Sequence, residues 1–130
     1  MKRRSAVATA LVIAALAIPA LSLPASAASK RLRLCGYVEN PTPGNWWLTD
    51  RSGQWIIGVQ GGHQAAGDLP DFQLGRAFWI NVQPNGYGYG CGCIDATVDT
   101  SSREVSTIYK ATVQRLKVCR HDKALKKPSY

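Results

Sequence analysis

The residues best suited to chemistry in this chain are its four cysteines and two histidines. Cys91 and Cys93 flank Gly92, while Cys35 and Cys119 lie far off on either side. A zinc site made from Cys91, Cys93 and His63 or His121 would lack the second close ligand pair that structural zinc sites use. Two disulfides are the better expectation in a chain that opens, as described below, with an export leader. Cys91 and Cys93 fall on one face of an extended strand, where the backbone does not suit a bridge between them. Cys35 is therefore expected to join one of the two and Cys119 the other, and both connectivities stay open. No metal and no cofactor is expected.

Catalysis finds little support. His63 sits in a glycine-flanked loop with Asp68 and Asp71 close in sequence, which could supply a general base. No serine stands in a nucleophile-elbow pattern, and the cysteines are committed elsewhere. Asp50 with Asp68, Asp71 or Asp95 could in principle cleave a glycoside, but any chain with eight acidic residues offers such pairs. We expect a protein that is not an enzyme. The aromatic residues point instead to binding. Trp46, Trp47, Tyr87 and Tyr89 lie beside Asn45, Asp50, Asn81 and Asn85, and rings beside carboxamides and carboxylates build glycan or peptide grooves. The candidate binding surface is Trp46, Trp47, Asp50, Tyr87 and Tyr89. Adjacent tryptophans on a strand face opposite ways, so one is expected in the core and the other exposed or over the glycine tract.

These side chains must be positioned by strands. From Gly86 to Gly92 every even residue is glycine, with Tyr87, Tyr89, Cys91 and Cys93 at the odd positions. A face without side chains lets a backbone or an aromatic ring approach closely, with Trp46 or Trp47 the expected cover. From Ile94 the even face becomes aliphatic, so the buried side is expected to change along the strand. Arg31–Val38 alternates as a first strand, Asn40–Asn45 reads as a rigid proline turn, and Asp50–Gly53 reads as the turn of a hairpin. Gly61–Phe72 is the longest unpatterned loop. Ala77–Val82 reads as a short strand, and Glu104–Tyr109 and Thr112–Cys119 as the last two. The fold expected is all-β: a single small disulfide-stapled sandwich or partly open barrel of six to seven short strands, with little helix.

The ends carry export and charge. Met1-Lys2-Arg3-Arg4, an apolar run from Ala6 to Leu23 and Ala25-Ser26-Ala27 make a signal peptide over residues 1–27, cleaved after Ala27. Residues 28–130 form one domain. With Lys2, Arg3 and Arg4 set aside, thirteen basic residues face eight acidic ones. The excess lies at Lys30–Arg33 and in the tail from Arg115 to Lys127. An exported protein rarely meets nucleic acid, so an anionic membrane surface or wall polymer is the natural electrostatic partner. The disulfides are expected to bring both basic segments together. After cleavage the chain is not expected to be an integral membrane protein.

Cys35-Gly36-Tyr37, Asn40-Pro41-Thr42-Pro43-Gly44-Asn45, Trp47-Leu48-Thr49-Asp50, Gln60-Gly61-Gly62, Gly67–Phe72, Tyr87–Cys93 and Cys119-Arg120 together resemble a bacterial family of small exported proteins, the domain-of-unknown-function family numbered 4087. The likeness runs from about Cys35 to Asp122. It implies a bacterial, exported, periplasmic or extracellular domain and transfers no catalytic residue. Two roles stay open. The first is a non-catalytic cell-envelope module that takes a glycan, peptide or protein in an aromatic groove. The second is an inhibitor-type protein acting through a protruding Gly61–Phe72 loop.

Overall fold

The computed structural model describes residues 28–130; the expected signal peptide, residues 1–27 with its cleavage site after Ala27, lies outside the described residues. Six strands follow in order: β1 (Ser29–Thr42), β2 (Asn45–Asp50), β3 (Gly53–Gly58), β4 (Trp79–Asn81), β5 (Gly88–Asp99) and β6 (Glu104–Gln114). A short helix, α1 (Leu116–His121), comes after β6. β1 pairs with β2 along one edge and with β5 along the other. β3 continues from β2 and meets β6 in parallel at Ile56 and Glu104, and β6 pairs antiparallel with β5. The neighbours thus return to their start and close a five-stranded barrel, with β4 added beside the first residues of β5. The all-β expectation holds, and of its two forms the barrel is the one adopted.

The β2–β3 hairpin forms where expected. Asp50 Oδ1 accepts hydrogen bonds from the Ser52 amide at 2.7 Å and hydroxyl at 2.6 Å, fixing the turn. Three boundaries differ from the sequence reading, the first being β4, which keeps only Trp79–Asn81 of the expected Ala77–Val82. β1 runs on through Asn40-Pro41-Thr42, because the register slips between Glu39 and Thr42 and spares the proline a ladder donor. The turn shrinks to Pro43-Gly44, held by Asn40 Nδ2 donating to the carbonyls of Thr42 and Asn45. The expected last two strands are one strand, β6, which follows β5 through two register shifts. The rest of the second becomes α1, whose buried Leu116 and Cys119 lie three residues apart on one helical face.

The barrel interior holds Leu34, Val38, Leu48, Trp55, Ile57, Ile94, Ala96, Val98, Val105 and Ile108, closed at one end by Phe72 and Trp79. The glycines of β5 make room for those rings. A Cβ on Gly90 would lie 2.9 Å from Trp79 Cε3, and one on Gly92 2.8 Å from Phe72 Cε1. The cover of the tract is therefore Trp79 and Phe72, with Trp46 packed behind them at ring-centroid distances of 6.3 and 6.4 Å. Nor does the buried side of β5 switch. Gly88–Ile94 is buried on both faces, and only from Asp95 does the odd face open. The outer face of that first half lies under α1 and the tail, in a second core of Tyr37, Tyr89, Cys91, Leu116 and Cys119.

Both disulfides are formed, as Cys35–Cys93 and Cys91–Cys119. Register selects this connectivity: Cys35 sits directly opposite Cys93, while Cys91 faces Tyr37 and is left for the helix. Each bridge closes a long loop and contributes about 2–4 kcal/mol by restricting the unfolded chain. Such bridges belong to oxidising compartments. No helix among the described residues is long and apolar enough to cross a membrane.

Candidate functional site

The outer face of the barrel at β1 and β2 carries the most developed polar site. The alternation that sends Val38 and Leu48 inward sends Tyr37, Glu39, Trp47 and Thr49 outward. Register then places Glu39 between Trp47 on β2 and Tyr89 on β5. Glu39 is only 7% exposed, and its carboxylate is fully engaged. Oε1 accepts the Thr49 hydroxyl at 2.8 Å, and Oε2 accepts the Tyr130 hydroxyl at 2.8 Å. Tyr89 is braced edge-on by Tyr37 from within the sheet and stacked by Tyr130 from outside, at 5.8 and 6.1 Å between centroids.

Beside this cluster a cleft of about 670 Å³ opens between the hairpin and the tail, walled by Trp47, Thr49, Asp50 and Gln54 on one side and Lys126, Lys127 and Tyr130 on the other. The Trp47 indole Nε1 is buried without a hydrogen-bond partner. Such a donor costs about 1–3 kcal/mol until an acceptor reaches it. The tail is tied back where it begins, Arg51 Nε donating to Asp122 Oδ2 at 2.9 Å. That contact holds the Asp122 carboxyl below its ordinary range, whereas burial and then the Glu39 contact push the Tyr130 hydroxyl up. Burial likewise raises the Tyr37 hydroxyl, with the neighbouring Tyr89 adding to it.

The candidate binding surface is distributed over the molecule. Trp47 and Asp50 line the cleft, and Tyr89 lies buried beneath Tyr130. Trp46 points to the other side of β2, toward Phe72 and Trp79, and also borders a smaller cavity under Leu69 and Pro70. Tyr87 precedes β5, half-buried, and is not part of the cleft wall. Asp50 is also structural: Oδ2 accepts the Trp55 indole N–H at 2.9 Å. Glu39 and Tyr130 were missed by sequence reasoning. Glu39 shares the odd face of β1 with Cys35 and Tyr37, and that parity was the available signal.

Several of the acid–base candidates are held by partners of their own. His63 Nε2 donates to the Val105 carbonyl at 2.8 Å, and His121 ends α1, exposed. Asp95 pairs with Arg33, and Asp71 Oδ1 accepts the Gln73 amide. All four cysteines are in disulfides, which removes the thiolates that the zinc reading needed. The Gly61–Phe72 loop is tied to the barrel at its middle and at its end. Its Ala65 and Ala66 amides donate to the Ile57 and Ser106 carbonyls, and Phe72 is 1% exposed. It fills the seam between β3 and β6 that a single bridge leaves open.

A family model described as "Protein of unknown function (DUF4087)" matches residues 28–126. No curated protein and no solved structure matches the chain.

Proposed function

Because the chain belongs to the DUF4087 family, described only as proteins of unknown function, its role rests on the site, and we propose that it is an exported, non-catalytic binding module of the bacterial cell envelope, periplasmic or extracellular, which takes a glycan, peptide or protein segment into the cleft beside Trp47. The observation that carries this reading is the cleft itself, about 670 Å³ on the outer barrel surface, with Trp47 in its wall opposite Lys126 and Lys127. That volume falls within the usual range for ligand sites. Titrating isotope-labelled protein with soluble envelope fractions tests it. Resonance shifts should concentrate on Trp47, Thr49 and Gln54 and be lost in Trp47→Ala; shifts confined to other surfaces would refute the site.

An inhibitor acting through Gly61–Phe72 has less support, since that loop is packed as a wall of the barrel and not raised from it. Charge supports a second contact with the envelope. Lys117, Arg120, Lys123, Lys126 and Lys127 are all exposed, and none forms an ion pair among the described residues. The other basic segment is partly spent, Arg33 on Asp95 and Arg31 over the Tyr109 ring at 4.0 Å. The helix and tail would thus give weak attraction to an anionic surface, screened over about 8 Å at physiological salt. Sedimentation with anionic vesicles should fall at high salt and fall further when Lys123, Lys126 and Lys127 become Gln; equal partitioning throughout would refute it.

A further inference from the structure

We infer that the Glu39–Tyr89 subsite at the edge of the cleft is a receptor for a tyrosine-bearing peptide segment of a partner protein, with the chain's own Tyr130 seated on it as a tethered stand-in. This rests on the binding-module reading and narrows its ligand class. The subsite under Tyr130 is fixed by the barrel and not by the tail. Glu39 and Tyr89 are set side by side by strand register, Thr49 holds one carboxylate oxygen, and Tyr37 braces the Tyr89 ring. What remains to be supplied is one ring to stack on Tyr89 and one hydroxyl to donate to Glu39 Oε2. Tyr130 supplies both, at an interplanar angle of 16° and an oxygen–oxygen distance of 2.8 Å. A carboxylate this buried is costly when left without a donor, so the subsite selects a hydroxyl-bearing ring over a plain one.

The stand-in itself is lightly held. No backbone–backbone hydrogen bond involves Lys126 to Tyr130 among the described residues, and Tyr130 remains 57% exposed. Its attachment is the Tyr130 side-chain anchor, with Pro128 half-buried where the tail walls the cleft. A tether of this length presents its anchor at an effective concentration in the millimolar range. An incoming tyrosine peptide therefore binds with its affinity reduced by the fraction of time the tail is away.

The test uses the whole chain with Tyr130→Ala, and as probe the peptide Lys-Lys-Pro-Ser-Tyr, acetylated and amidated, followed by calorimetry and amide shifts. The folded variant should bind the peptide at least tenfold more tightly than the unsubstituted chain does. A peptide ending in Phe should bind about tenfold more weakly than the Tyr peptide, as expected for loss of a hydrogen bond to a carboxylate. No binding to the folded variant up to about 5 mM, above the tether's own effective concentration, or equal binding to both proteins, overturns the inference. If envelope fractions still shift Trp47 and Thr49 while the peptide does not bind, the inference falls and the module reading stands. A dimer of the unsubstituted chain that disappears in Tyr130→Ala would give the subsite to a second copy and overturn the separate partner.

Discussion

Gly90→Ala probes the packing of the barrel interior with a single methyl group. In the native backbone that carbon would lie 2.7 Å from the Phe78 carbonyl oxygen and 2.9 Å from Trp79 Cε3. Carbon atoms in ordinary contact stand about 3.5–4.0 Å apart, so two neighbours must withdraw by more than half an ångström. Neither is free to do so. Phe78 leads directly into β4, and the Trp79 ring is wedged against Trp46 and Phe72, both at 6.3 Å between centroids, with its indole N–H donating to the Gly86 carbonyl. Overpacking of this kind costs about 1–3 kcal/mol, and the smaller unfolded-state entropy of alanine offsets about 0.4–1 kcal/mol of it. A net loss of about 1–2 kcal/mol lowers the Tm of a domain this size by about 4–16 °C. Thermal unfolding of the oxidised protein by circular dichroism measures this, with Gly62→Ala as the control. A Cβ there meets nothing closer than 3.8 Å, so that variant should melt at or above the parent. If Gly90→Ala melts with Gly62→Ala, the rings do not lie on the tract and the account of the interior is wrong.

Non-reducing peptide mapping should recover Cys35 with Cys93 and Cys91 with Cys119; Cys35 linked to Cys91 would overturn the register of β1 on β5. Asp50→Ala removes the acceptor of the hairpin turn and of the Trp55 indole, and should cost about 1–3 kcal/mol in urea unfolding, against little for Asp68→Ala. The tail should respond to pH at both extremes. The Tyr130 hydroxyl is raised in the folded state, so folding favours its protonated form; the contribution of this contact is complete below the ordinary value of 10.0 and fades as pH rises above it. An ultraviolet titration should therefore show one late-ionising tyrosine fewer in Tyr130→Phe than in the parent, Tyr37 remaining in both, and an unchanged number would refute the Glu39 contact. Asp122 is lowered, chiefly by the Arg51 hydrogen bond, so its contribution is present above 3.8 and lost as pH falls below it. Amide shifts of the tail, Ala124 above all, should move in that acid range, and at a higher pH in Arg51→Ala.

Much of the frame was legible because period-two patterns report directly on strands. The alternation of β5, the Asp50–Gly53 hairpin and the pairing of Cys35 and Cys119 with the Cys91/Cys93 doublet all follow from parity and turn chemistry. What parity does not carry is registration between strands distant in sequence. It could not choose between the two disulfide patterns, nor say that Phe72 and Trp79, and not a tryptophan of β2, would lie on the glycines. α1 was hidden because Leu116 and Cys119 offer a single apolar turn, too short for a periodic signal. The site was half visible. Trp47 and Asp50 stood out as residue types, but Glu39 and Tyr130 become partners only when residues 91 apart in the chain meet.

The two disulfides also decide how the molecule carries tension. Both end on β5 with only Gly92 between Cys91 and Cys93, so a covalent route leads from Cys35 through three residues to Cys119. A pull applied across Ser29 and Lys123 would travel along that route and bypass the hairpin, the seam loop and the cleft. The loops closed by the bridges, 58 and 28 residues apart at their ends, cannot pay out while the bonds are intact. Force spectroscopy on the oxidised chain should show almost no extension beyond the free ends, and reduction should release both loops as separate lengthening steps. A module clamped at one end to a surface and at the other to a partner would thereby behave as a short inextensible link, its ligand face unloaded.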